Sequence, residues 1–170
     1  ALRQARPDIR IFLAGLPARI LSEGGAFGRS ALGTREPTLV EYVSANPTGP
    51  LNVVNARAAA VGATLVRLLE ATGHRSAGEF YINDAGRQVE LLGESVAARF
   101  AERIGTPREF PADGYPGEYL RDIAAALPEA EGRAALAREG GTTWFRDRAL
   151  EGMITSQRDD LKAYGAEFAR

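Results

Sequence analysis

The sequence predicts an α/β fold: a parallel strand–helix–strand unit of Rossmann-like type, followed by a helical appendage. Three observations predict it. Short β-prone runs at residues 38–43 and 79–82 flank a stretch of helical periodicity at 52–72. The span between the runs has the length of a crossover helix, so the two strands should be parallel. Residues 105–117 hold three prolines and three glycines, and residues 118–170 carry helical patterning only. The expected division is an N-terminal helix and linker (1–37), a partial Rossmann-like half (38–104) and a helical segment (105–170).

Each element has its own signal. Residues 8–22 place Ile9, Phe12, Leu13, Leu16, Ile20 and Leu21 at helical spacing. The stretch 22–37 is rich in Gly, Ser and Thr and reads as a linking loop. The strand at 38–43 is broken by Ser44-Ala45-Asn46-Pro47-Thr48-Gly49-Pro50, because two prolines and a glycine cannot continue a ladder. The helix from Asn52 to about Thr72 carries Val61, Leu65, Leu68 and Leu69 on one stripe and ends at Gly73. Asn83-Asp84 opens a helix that runs to about Ile104. Helices are expected at 115–127, 129–139 and 142–164, the last with Leu150, Ile154, Leu161 and Tyr164 as its stripe and Trp144-Phe145 packed into the core.

Composition removes several kinds of chemistry. The chain has 170 residues, 45% of them apolar and 25% charged, which suits one domain or slightly more with a real core. With no cysteine, disulfides and thiolate nucleophiles are excluded. The single histidine, His74, excludes the common zinc patterns and reads as a residue at the end of a helix. A net charge of −1 gives no global attraction to nucleic acid or anionic membrane. No apolar run reaches membrane-spanning length and no signal-peptide core is visible, so the expected compartment is the cytoplasm. Lys162 is the only lysine, and no phosphate-binding G-x-x-x-x-G-K-[ST] loop occurs. Asp159-Asp160 and the arginines at 146, 148 and 158 read as a solvated charged face, so no metal site is expected.

The segment from Glu41 to Leu51 leaves a strand and enters a helix N-terminus, which is where parallel α/β units bind ligands. Free N–H groups and the helix dipole favour an anion at that position. Glu41, Ser44 and Asn46 bring a carboxylate, a hydroxyl and an amide to the strand end. These groups suit the ammonium and carboxylate of an amino acid. The same Ser44 and Asn46 would equally satisfy a turn.

The stretch Val40-Glu41-Tyr42-Val43-Ser44-Ala45-Asn46-Pro47-Thr48-Gly49-Pro50-Leu51 resembles the opening of the catalytic domain of bacterial arginyl-tRNA synthetases, which are class I aminoacyl-tRNA synthetases. The resemblance continues at Ala56-Arg57, Val61-Gly62 and 68–74, then at Tyr81-Ile82-Asn83-Asp84-Ala85-Gly86-Arg87-Gln88 and at 113–124. Asp160-Leu161, Gly165 and Phe168 fit a later D-L-x-x-x-G-x-x-F stretch, so nearly the whole chain is covered. The resemblance implies the first half of the class I catalytic fold with part of its helical connective insertion. It also implies Glu41, Ser44, Asn46 and Gln88 as the groups around the amino-acid backbone. In the family the domain activates arginine with ATP and transfers it to tRNA.

The departures carry as much weight as the matches. Where the family has an H-x-G-H signature that handles ATP, this chain has Asn52-Val53-Val54-Asn55. Asparagine remains a donor but carries no positive charge. Losing one preorganised donor to a developing anion typically costs ~2.7–4 kcal/mol of barrier. Val54 puts a branched side chain where the family's glycine leaves room for adenine. The sequence also stops at Arg170, before the family's lysine loop and anticodon-binding domain. The expectation is a truncated, catalytically degenerate relative that uses no cofactor and does not bind ATP as the family does. Its expected ligand is arginine-like, with tRNA binding weak or absent. Half a fold exposes a strand edge and apolar surface, so a second copy, a protein partner or the late helices should cover it. The competing expectations are residual arginine activation with a partner chain and an inert scaffold.

Overall fold

The computed structural model describes residues 9–33 and 36–169. In chain order it contains helix α1 (Ile9–Glu23), a short 3-10 turn (Gly24–Ala26), strand β1 (Pro37–Glu41), α2 (Val53–Ala71), β2 (Arg75–Glu79), α3 (Arg87–Arg103), α4 (Tyr119–Ala126), α5 (Glu129–Leu136) and α6 (Thr142–Ala163). β1 and β2 pair in parallel with Pro37 opposite Arg75 and Glu41 opposite Glu79. The strand–helix–strand unit is therefore present, as a two-stranded sheet among the described residues. None of the described helices is long and apolar enough to cross a membrane.

Two cores hold these elements. The sheet-side core centres on Tyr42, with Ala59 and Ala63 of α2, Leu161 of α6 and Ala166. Alternation assigns the sheet's faces. Val40 belongs to that core and Gly78 is buried, while Leu39 on the other face is 43% exposed. Ser76 fastens the covered face by donating its hydroxyl to the Val66 carbonyl at 3.0 Å. The larger core is helical: Leu92, Val96 and Phe100 of α3 meet Leu120 of α4, Ala135 of α5 and Phe145 of α6. The Phe100 and Phe145 rings lie 5.3 Å apart. Close approach of α3 and α6 is possible because Gly93 faces Arg146, where an added Cβ would stand 2.7 Å from the arginine's own Cβ. Arg146 then reaches back to Glu90 of α3 at 2.7 Å.

Several elements lie elsewhere than the sequence predicts. The second strand is Arg75–Glu79, not 79–82. The apolar residues Phe80 and Ile82 mislead, because they pack beyond the ladder instead of within it. The third helix starts at Arg87, not at Asn83-Asp84. Gly86 at φ 92 makes the turn into it, and Asn83 spends its amide on Asn46. The inward face of α6 agrees with the predicted stripe only at Leu161: Phe145, Ala149, Met153 and Gln157 also face inward, in place of Leu150 and Ile154, while Tyr164 is exposed. The predicted apolar stripe of α1 has Leu13, Ile20 and Leu21 exposed; the side chains of Ile9 and Phe12 lie outside the described residues. The end of α2 agrees with the prediction. Gly73 at φ 91 ends it, and the linker crosses there, with Ser30 N–H on the Ala71 carbonyl and Gly33 N–H on that of Thr72. Trp144-Phe145 also packs as expected, with Phe145 fully buried.

Gly62 is the tightest point of the sheet-side core, since a Cβ there would fall inside the Tyr42 ring. Gly62→Ala should destabilise the protein by about 1–3 kcal/mol. Gly152→Ala, on an open stretch of α6 with nothing within 4 Å, should stabilise it by about 0.5–1 kcal/mol. Urea unfolding followed by circular dichroism measures both, and equal effects at the two sites would contradict the packing described.

Candidate functional site

The site is the loop that joins β1 to α2, with the segment just after β2. Tyr42 anchors its start. Its N–H continues the ladder to the Glu79 carbonyl at 3.2 Å, and its hydroxyl donates to the Glu167 carbonyl at 3.0 Å. The next two residues turn sharply, Val43 at φ 68 and Ser44 at φ 39. Left-handed backbone is costly for a β-branched valine, of order 1–3 kcal/mol, and persists only where neighbours over-determine it. The turn aims Ser44 across to the segment after β2, where its hydroxyl oxygen accepts from the Tyr81 N–H at 3.1 Å.

Asn46 is the hub of the polar side chains. It donates from Nδ2 to Gln88 Oε1 at 2.7 Å, and its Oδ1 accepts from Asn83 Nδ2 at 3.4 Å. Of the four residues expected from the sequence, Glu41, Ser44, Asn46 and Gln88, the structure brings Asn46 and Gln88 into direct contact. Ser44 sits beside them, occupied by the Tyr81 amide. Glu41 ends β1 opposite Glu79 in register, exposed, with no hydrogen-bond or ion-pair partner among the described residues. The geometry is that of a polar rim on the strand ends, open to solvent at Glu41, Asn46 and Gln88.

The other side of the loop is the start of α2. Asn52 is the N-cap of α2: its Oδ1 accepts from Val54 N–H at 2.9 Å and Asn55 N–H at 3.3 Å. Asn55 replies by accepting the Asn52 N–H on its own Oδ1 at 3.0 Å. This reciprocal capping box satisfies donors that a helix start otherwise presents to an anion. The two Nδ2 groups have no partner among the described residues and are neutral. Val54, between them, is 59% exposed.

Two residues of the helical segment reach the loop, and the candidates expected from the sequence include neither. Tyr119 of α4 donates its hydroxyl to the Thr48 carbonyl at 2.6 Å. Gln157 of α6 donates from Nε2 to the carbonyls of Gly49 at 2.8 Å and Asn46 at 3.2 Å. A usable signal for Gln157 exists: it is the polar member at an inward position of α6, spaced between Ile154 and Leu161. A cavity of about 420 Å³ lies against it, walled by Pro47, Phe80, Ile82, Ile154 and Phe168. No cluster of candidate metal ligands occurs among the described residues, and Asp159 and Asp160 are exposed.

Known proteins resemble the chain along nearly its whole length. No family model matches it. An arginine–tRNA ligase from Desulfotalea psychrophila is 44% identical over 154 residues, which is 91% of this chain and 28% of that protein. One from Anaeromyxobacter sp. is 41% identical over 167 residues, 96% of this chain and 27% of that protein. Among solved structures, a Campylobacter jejuni protein assigned as an arginyl-tRNA synthetase superposes with a TM-score of 0.80 at 35% identity, covering 92% of this chain and 35% of that one. The chain spans little more than a quarter of the length of the curated relatives it matches.

Asn52→Ala should cost about 1 kcal/mol through loss of the cap, measured by urea unfolding. Burial holds the Tyr119 and Tyr42 hydroxyls protonated above the usual tyrosine value of 10.0, the latter opposed by Arg67. An acid whose pKa rises on folding leaves the folded state holding more protons, so stability falls as pH climbs through and above about 10. Tyr119→Phe should flatten part of that alkaline slope; an unchanged slope would show that Tyr119 contributes none of it.

Proposed function

Because this chain is homologous to a segment of arginine–tRNA ligases, we propose that its strand-to-helix loop holds the backbone groups of arginine or an arginine-like amino acid without activating it. Glu41 faces the α-ammonium. The amides of Asn46 and Gln88 take the carboxylate, and Ser44 fixes the two strand ends around it. The observation that supports this division most directly is the Asn52–Asn55 capping box beside the Asn46–Gln88 pair. The amino-acid side keeps exposed polar groups. The signature side spends its helix-start donors on its own side chains and offers an anion only two neutral amides. By the resemblance of the sequence, Val54 stands where the family's signature has glycine, and its exposed branched side chain would deny a purine a flat backbone to lie on.

The resulting role is binding or regulation in the cytoplasm, with no cofactor and with tRNA held weakly or not at all. Charges on α6 alternate in sign, as in the Arg148–Glu151 pair at 3.3 Å, and form no cationic track. Val61 and Leu68 of α2 are 65% and 58% exposed, and Leu39 lies on the open sheet face. This uncovered apolar surface favours a second copy or a protein partner over it.

Calorimetry with L-arginine and with ATP tests the proposal. Arginine should bind saturably, and Glu41→Ala or Asn46→Ala should weaken it at least tenfold. ATP should give no binding heat at millimolar concentration, and the triple variant Asn52→His, Val54→Gly, Asn55→His should recover it. Arginine-dependent pyrophosphate exchange by the unaltered chain, or absence of arginine binding, would overturn the proposal.

A further inference from the structure

We propose that Gln157, assisted by Tyr119, is the positioning residue of the candidate site, so that the helical segment sets the geometry of the loop that holds the ligand. This rests on the proposed function for the identity of the ligand, but not for the positioning itself.

The loop cannot hold itself. Pro47 and Pro50 have no N–H, so the segment 46–50 is poor in backbone donors and rich in carbonyls that need them. Pro47 is fully buried, and Gln157 is only 3% exposed, one of two buried polar side chains in the described core. The other, Ser95, is occupied within its own surroundings, on the Leu91 carbonyl and the Tyr115 N–H. Gln157 spends its amide on the loop, bridging the carbonyls of Asn46 and Gly49. Tyr119 takes the carbonyl between them, that of Thr48. Three carbonyls in a row of four residues are therefore fixed from α4 and α6. They lie between the strained pair Val43 and Ser44 on one side and the Asn52 cap on the other.

A buried amide is costly unless it is satisfied, so a glutamine at an inward position of α6 needs a reason that leucine would not supply. Fixing the Asn46 carbonyl fixes the Asn46 side chain that meets Gln88. Fixing the Gly49 carbonyl fixes the entry into α2. Removing Gln157 should let Val43 and Ser44 relax out of the left-handed region, separating Asn46 from Gln88 while the helical core stays closed. Tyr119, held protonated by burial, donates throughout the neutral range.

Amide hydrogen exchange on the full chain tests this without any ligand. The reporters are the hydrogen-bonded amides of Ser44, Asn52, Val54, Asn55 and Tyr81, with Val96 and Phe100 of α3 as the internal reference. In Gln157→Met the reporters should exchange at least tenfold faster with α3 unchanged, and the side-chain amide resonances of Asn46 and Gln88 should move. Tyr119→Phe, a gentler change that keeps the ring, should give the same pattern at smaller amplitude. Unchanged loop protection in both variants, or an equal loss across α3, would overturn the positioning role. Calorimetry adds the ligand arm: arginine should bind at least tenfold more weakly to Gln157→Met, and equal affinity would separate Gln157 from the site. If the unaltered chain binds no arginine, the proposed function fails, and the exchange comparison still decides the role of Gln157.

Discussion

The seating of the Tyr42 ring is the constraint on which the sheet side of this molecule depends. The ring occupies space that only glycines leave open, at Gly62 on α2 and at Gly78 on β2, where an added Cβ would come within 2.9 Å of it. Phe168 closes the other side with ring centroids 4.4 Å apart, and the hydroxyl ends on the Glu167 carbonyl. One side chain thus joins the strand it extends, the helix that crosses over, the neighbouring strand and the stretch after α6. Arg67 adds a second tie from α2 to that stretch, at the Gly165 carbonyl. With Tyr42 fixed inward, the chain has only two residues in which to turn its polar groups toward the strand ends. The positive φ values of Val43 and Ser44 are the geometric result.

From that turn the loop divides into two chemically distinct shores. Upstream, side chains meet each other: Asn46 with Gln88 and Asn83, and Ser44 with a backbone amide. Downstream, side chains fold back on their own backbone through Asn52 and Asn55. A helix start attracts anions because its first amides lack partners and its dipole points outward. The asparagine pair supplies partners for the amides of Asn52, Val54 and Asn55. The helix thereby keeps a better-satisfied N-terminus than an uncapped one.

Much of this is legible in the residues alone, for identifiable reasons. The strand–helix–strand order comes from periodicity, and the end of α2 comes from Gly73, because both are local properties of the chain. Local patterning does not give the register of long-range packing. Phe80 and Ile82 carry the composition of a strand but serve as cavity wall, so pattern places β2 too late. It finds Leu161 on the inward face of α6 but misses Ala149 and Gln157, because these are not large apolar anchors by type. Their burial is decided by what α3 and the loop present to them. Gln157 and Tyr119 escape pattern for the same reason, since their partners are backbone carbonyls more than 70 residues away in sequence.

The separation into two cores has a consequence for how the molecule comes apart. The helical cluster holds the large side chains with no residual exposure, Phe100, Phe145, Leu92 and Leu120, whereas the sheet-side cluster is built mainly of alanines around one tyrosine. Opening free energies differ between such units, and the weaker one lets go first in a partial unfolding step. The loop lies along the seam, tied to the stronger unit by Gln157 and Tyr119. On gentle heating the β-ladder should therefore melt as a subdomain of its own, leaving a compact helical remnant whose signal survives to higher temperature.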